Sequence, residues 1–280
     1  MTRGTLAFLV VLAMTAFAAN SLLCRMALRN GAIDPGSFTA IRIASGAAVL
    51  WLIARLRDRT MTSAGSWWSA AALFAYAAAF SFAYVELPAA VGALILFCAV
   101  QVTMIGYGLW KGERIGRIQA AGLALAIAGL VTLLSPGLSA PSPGSAALML
   151  AAGIAWGIYS LRGKGSGDPT IATAGNFLRA VPLAVILSLA TLASASASAA
   201  GVLYAVASGG LASGVGYAIW YAALPGLTAT KAATIQLSVP VVAAVGGVVL
   251  LGEAITPTLV VSSAAILGGI ALVVAARRRA

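Results

Sequence analysis

The chain has no histidine and only six carboxylates in 280 residues, and charged residues make up 8% of it. Soluble domains carry about 25% charged residues, so this composition does not describe one. Its two cysteines, Cys24 and Cys98, both lie inside apolar segments and form neither a metal cluster nor a disulfide framework. No Walker A sequence occurs, which argues against ATP-driven pumping by this chain alone. A catalytic set is also missing: there is no membrane-depth carboxylate pair and no recognisable Ser-Lys dyad. The sequence therefore implies no enzyme, no metal and no cofactor.

What is present is apolar. Hydrophobic residues make up 61% of the chain and the mean hydropathy is +1.03. A single water-soluble core could not hide that much apolar sequence, so the bilayer is the expected solvent. A membrane span needs about 20 apolar residues, and ten such runs can be marked. They cover roughly 4–28, 35–55, 66–84, 88–110, 115–134, 144–162, 169–192, 198–222, 227–250 and 256–276. Arg3 and Ala16-Phe17-Ala18 imitate a secretory signal with its cleavage site. The first run nevertheless continues to about Leu28, and a retained first helix is expected. Short connections carry breakers such as Asp34-Pro35, Ser135-Pro136-Gly137, Asp168-Pro169, Pro225 and Pro257.

One stretch occurs twice. Tyr84, Leu87 and Pro88 open the first copy, and Tyr221, Leu224 and Pro225 open the second, 137 residues later. Each copy reaches a Gly-Glu pair, Gly112-Glu113 and Gly252-Glu253, and then a glycine 16 residues beyond the glutamate, Gly129 and Gly269. Self-similarity of this kind sets the architecture. The expected fold is an all-α integral membrane protein of ten transmembrane helices in two five-helix repeats, residues 1–135 and 142–280, forming one transport domain. Five is odd, so the second repeat enters the membrane from the opposite side. Inverted repeats of this kind build secondary transporters, with the binding site at the repeat interface.

With the N-terminus in the cytoplasm, the inner loops collect 12 of the 17 Lys and Arg residues, which fixes N-in and C-in by the positive-inside rule. The same rule explains the net charge of +11 without a nucleic-acid partner. Trp51, Trp67, Trp68, Trp110, Trp220, Tyr221 and Tyr84 fall at helix ends, where an interfacial aromatic belt is expected.

Few polar groups lie at membrane depth, where they are expensive and face an interior or a water-filled cavity. Asn20, Gln101 and Gln236 could each hold a helix contact or meet a ligand. Tyr76 and Phe80 stand one helical turn apart, as do Trp156 and Tyr159, and Tyr217 is the repeat mate of Phe80. Such aromatics serve packing or, gathered on one cleft, an apolar pocket with polar handles. Gly153 with Gly157, and Gly210 with Gly214, either let helices approach or bare backbone to a cavity. Arg42 and Arg179 are repeat mates that either bond backbone carbonyls or attract a carboxylate, while Lys231 lies close enough to the inner face to snorkel. The carboxylates Asp34, Asp58, Glu86, Glu113, Asp168 and Glu253 all sit near helix ends, which points to uncoupled, facilitated movement.

Ten runs in two inverted halves, with Gly112-Glu113 and Gly252-Glu253 each leading a glycine-punctuated span, resemble the drug/metabolite transporter superfamily, with an EamA-type domain present twice. Pro240 and the arginines Arg42 and Arg179 fit the same pattern, although Val100 stands where a first-half counterpart of Pro240 is expected. The chain is most similar to the bacterial aromatic amino-acid exporters of that group. The resemblance implies an inner-membrane exporter of aromatic and other neutral amino acids, with the third, fourth, sixth, eighth and ninth helices lining a central path. In that reading Tyr76, Phe80, Trp156, Tyr159 and Tyr217 accept the side chain, and Asn20, Gln101 and Gln236 meet the ammonium and carboxylate. The expected partners are a small-molecule substrate and membrane lipid, with the chain acting as a monomer. Export of other small metabolites or drugs is the alternative, and a receptor or scaffold gives no reason for inverted symmetry.

Overall fold

The computed structural model describes residues 2–56, 64–112, 116–135, 141–163, 168–227, 232 and 235–276. Asp58, Glu113, Pro136 and Lys231 lie outside the described residues, as do the three arginines at 277–279.

The described residues form ten apolar helices. They are α1 (Arg3–Leu28), α2 (Pro35–Leu56), α3 (Trp67–Ala83), α4 (Ala89–Trp110), α5 (Arg117–Leu134), α6 (Pro143–Arg162), α7 (Pro169–Ala190), α8 (Ala199–Gly226), α9 (Ser238–Leu251) and α10 (Pro257–Ala276). Eight are long and apolar enough to cross a membrane; α3 and the described part of α9 are shorter. The chain is thus an all-α, multi-pass membrane protein. The seventh helix ends at Ala190, two residues before the expected end, and Leu192–Ser194 follow as a short 3₁₀ turn.

Local sequence explains the helix ends. In both halves an Asp-Pro pair starts a helix: proline suits the first helical position, and the aspartate bonds free backbone N–H groups behind it. Asp168 Oδ1 accepts from the N–H of Thr170 at 2.9 Å and of Ile171 at 3.3 Å. Asp34 Oδ1 accepts from the N–H of Ser37 at 2.9 Å, and its Oδ2 from that of Ser196 at 3.1 Å. Gly112 and Gly252 take φ of +89° and +64°, the left-handed turn that ends α4 and α9 and that glycine adopts without strain.

The helices pack mainly between halves. α5 lies on α10 and α2 on α7; α3 contacts α6 and α7, just as α8 contacts α1 and α2; α4 contacts α6, just as α9 contacts α1. Exchanging each helix for its repeat mate therefore preserves the contact pattern. The mates also run antiparallel. Gly122 faces Gly269 and Val273 while Gly129 faces Ala265 and Ile266, and Gly36 abuts Thr191 while Gly46 abuts Phe177. Mates that pair antiparallel require a twofold axis across the helices, so the repeats are inverted.

Small residues make these contacts close, as expected where lipid supplies no hydrophobic drive. Gly153 and Gly157 seat against Leu96, Ala99 and Thr103 of α4, and Gly210 and Gly214 against Val49 of α2. Both glycine pairs thus pack helices. In α8 the segment Ala207–Val215 widens into a π-helix, a form often found at functional sites.

Candidate functional site

A cavity of about 720 Å³ runs from the middle of the bundle to the end where α4 and α6 finish and α7 begins. Its deep end carries Asn20 and Ser21 of α1 with Tyr76 and Phe80 of α3. Its wall carries Gln101 of α4, Trp156 and Tyr159 of α6, Tyr217 of α8, and Gln236 just ahead of α9. The eight residues singled out in the sequence therefore meet on one cavity. Of the expected lining helices, α3, α4, α6 and α8 are present, whereas the ninth run contributes Ala232 and Gln236, both ahead of α9; α1, α7 and α10 join through Phe17, Thr173, Asn176 and Val273.

The aromatics interlock across the two halves. The Trp156 ring stacks on Tyr159 at 5.2 Å and on Tyr217 at 5.5 Å, and tilts against Tyr76 at 4.8 Å. Phe17 packs on Tyr217 at 5.6 Å and on Trp220 at 6.1 Å. Rings in contact gain about 0.5–1.5 kcal/mol beyond their area burial, which favours a fixed wall over a loose one.

Two hydrogen-bond chains support this wall. On α7, Tyr159 Oη donates to Thr173 Oγ1 at 3.4 Å, Thr173 donates to Tyr221 Oη at 3.2 Å, and Asn176 Nδ2 donates to Tyr159 Oη at 3.4 Å. At the deep end, Ser208 Oγ donates to Asn20 Oδ1 at 2.6 Å, and Asn20 Nδ2 donates to Tyr76 Oη at 3.3 Å. Arg42 Nη2 donates to the same Tyr76 oxygen at 3.0 Å.

Sequence reasoning left out Asn176 and Thr173. An amide at membrane depth, the signal that marked Asn20, was present at Asn176 as well. The two repeat-mate arginines also part company. Arg179 Nη1 donates to the carbonyls of Ala64 and Gly175, which makes it a backbone clamp. Arg42 is 2% exposed and lies behind Tyr76 and Phe80.

Beyond Phe80 the bundle is sealed. Tyr84 packs edge-on against Phe80 at 4.6 Å, and its hydroxyl donates to the carbonyl of Ala89 at 3.3 Å. Arg25 Nη1 donates to the carbonyls of Tyr84 at 3.1 Å and Val85 at 2.8 Å, and Arg25 Nε pairs with Glu253 at 3.5 Å. Arg29 Nη1 donates to the Leu251 carbonyl at 2.7 Å. At the rim of the same end, Ser142 and Ser145 donate to Glu86, which holds its carboxyl below the usual range.

This geometry corrects the aromatic belt. Trp51, Trp67, Trp68 and Trp110 are exposed at helix ends, as expected. Tyr84 and Trp220, at 0% and 6% exposure, are instead buried, and Tyr221 lines the cavity. Their positions along the helix suit a belt, but their faces point inward.

Residues 4–135 and 144–275 each match the model of the EamA-like transporter family. An uncharacterized protein of Pseudomonas aeruginosa is 57% identical over 276 residues, covering 98% of this chain and 96% of its own length. A solved crystal structure with 21% sequence identity covers 99% of this chain and 100% of its own at a TM-score of 0.70, a likeness of fold.

Proposed function

The chain belongs to the EamA-like transporter family of the drug/metabolite transporter superfamily, and on that premise we propose that it is an uncoupled exporter of aromatic and other neutral amino acids. The observation that carries this reading is the cavity itself. It has aromatic walls, four amides (Asn20, Gln101, Asn176 and Gln236) spaced around them, and no Asp or Glu among its described lining residues. Substrate enters from the cytoplasm of a bacterial inner membrane, where all ten helices span and both termini lie inside. The positive-inside count supports an open end of the cavity on that side. Rocking of one bundle against the other opens the Arg25–Glu253 end and closes the Lys111 end, and the inverted repeats give the two states similar energies. Residues 1–135 and 142–280 are the two moving repeats of a monomer.

Counterflow tests this. Proteoliposomes preloaded with unlabelled phenylalanine should take up labelled phenylalanine without an ion gradient. Trp156→Ala and Gln101→Ala, confirmed as folded, should abolish that uptake. Absence of counterflow with phenylalanine, tryptophan, methionine and threonine removes the amino-acid assignment and turns the search to other small metabolites or drugs. Accumulation driven by an imposed pH or sodium step removes the uncoupled mechanism.

A further inference from the structure

Arg42 is a charged group at membrane depth with no counter-ion among the described residues. Among the described residues the one ion pair is Arg25–Glu253, and Arg42 Nη1 has no hydrogen-bond partner. Its guanidinium lies over the faces of Tyr76 and Phe80, 5.2 and 4.8 Å from the ring centroids, and both rings line the cavity. A buried charge without a counter-ion is costly, so a group retained in this state has a use for its field.

Tyr76 shows where the field is directed. A phenol oxygen can accept hydrogen bonds and donate one. Here it accepts from Arg42 Nη2 at 3.0 Å and from Asn20 Nδ2 at 3.3 Å. The Asn20 oxygen is occupied by Ser208, which leaves its amide nitrogen to serve Tyr76. With acceptance on two sides, the phenolic proton is left to donate in a third direction, beside a fixed positive charge. Such a donor prefers an anionic oxygen.

The rest of the cavity fits a single negative charge. Lys111, near the mouth, is the one charged group among the described lining residues. A phosphate ester calls for several cations, whereas a monocarboxylate calls for one. Nothing acidic among those residues is available to an ammonium group, and Trp156 already gives its ring to stacks with Tyr159 and Tyr217. We propose that the deep end of the cavity is a carboxylate site, with Tyr76 Oη as donor and Arg42 as the charge behind it. The ligand class is aromatic monocarboxylates, for which an α-amino group is dispensable. This rests on the reading of the cavity as an aromatic substrate site.

The test is calorimetric titration of the full chain in detergent with four ligands that share one ring: phenylalanine, 3-phenylpropionate, phenethylamine and 3-phenylpropionamide. The expected result is that 3-phenylpropionate binds at least as tightly as phenylalanine, and the amine and amide at least tenfold more weakly. Tyr76→Phe, which keeps the ring, should bring the acid-to-amide ratio close to one, while Arg42→Lys, which keeps a cation, should retain part of it. Phenethylamine binding as tightly as the acid overturns the inference and leaves the aromatic cavity standing. An acid-to-amide ratio unchanged in Tyr76→Phe does the same. Binding by none of the four overturns both.

Discussion

Both carboxylate oxygens of Glu253 accept from the backbone N–H of Ala89, at 3.0 and 2.8 Å. The glutamate that follows α9 thus holds the first turn of α4, its repeat mate, and neutralises Arg25 at 3.5 Å on the way. A carboxylate at a helix N-terminus is favoured by the exposed N–H groups and the helix dipole. At Gly252-Glu253 the signature is therefore mechanical: the glycine turns the chain back, and the glutamate fastens one half to the other.

Glu253→Gln should loosen that seal. Hydrogen bonds to charged groups contribute about 1.5–3 kcal/mol each, so a lower melting temperature in detergent is expected. A thiol introduced as Ser21→Cys, at the deep end of the cavity, should become reactive to an impermeant maleimide from the sealed side in the double variant. Unchanged melting and labelling would refute the role of this contact.

Glycine substitutions should separate backbone strain from helix contact. At Gly252 a Cβ meets nothing within 4 Å, but φ is +64°, so Gly252→Ala should cost about 1–2 kcal/mol through the left-handed conformation alone. At Gly269 a Cβ would press on the Gly122 carbonyl and the Ala126 backbone, whereas at Gly268 it meets nothing. Gly268→Ala should melt like the parent, and Gly269→Ala well below it. Equal melting of those two variants would contradict the α5–α10 packing.

Gln101→Glu would add a carboxylate to a cavity wall whose described residues have none. An opposite charge supplied to an ammonium, and a like charge opposed to a carboxylate, should shift preference toward amines. Titration should show phenethylamine gaining and 3-phenylpropionate losing, each by about tenfold, or about 1.4 kcal/mol. A parallel change in both ligands would mean that the substitution disturbs shape and not charge.

Asp34 sets a pH dependence of stability. Burial raises its pKa, but hydrogen bonds from Ser37, from the Ser196 N–H and from the Gly36 N–H outweigh that and hold the carboxyl below its ordinary value. A depressed folded-state pKa contributes stability that is fully present above the unfolded value, about 3.9. It is lost as pH falls through the folded one. Melting temperature should therefore drop below about pH 4, and Asp34→Asn should start lower and fall less steeply. Parallel curves for the two proteins would exclude this contribution.

The sequence by itself determined the membrane class, the ten apolar runs, the twofold repeat and the short set of polar and aromatic groups at depth. Each of these is a property of local composition or of distance along the chain, and such properties survive without coordinates. Facing was another matter. A helix surrounded by lipid and other apolar helices is hydrophobic all round, so its pattern does not say which side looks inward. Trp68 and Trp220 both sit near helix ends, yet one is 76% exposed and the other 6%. Arg42 and Arg179 are repeat mates, yet one clamps backbone and the other stays buried with a free Nη1. Helix packing, close at glycines such as Gly122, Gly153 and Gly269, fixes how the helices are rotated, and only the tertiary structure decided which side chains that rotation turned toward the cavity.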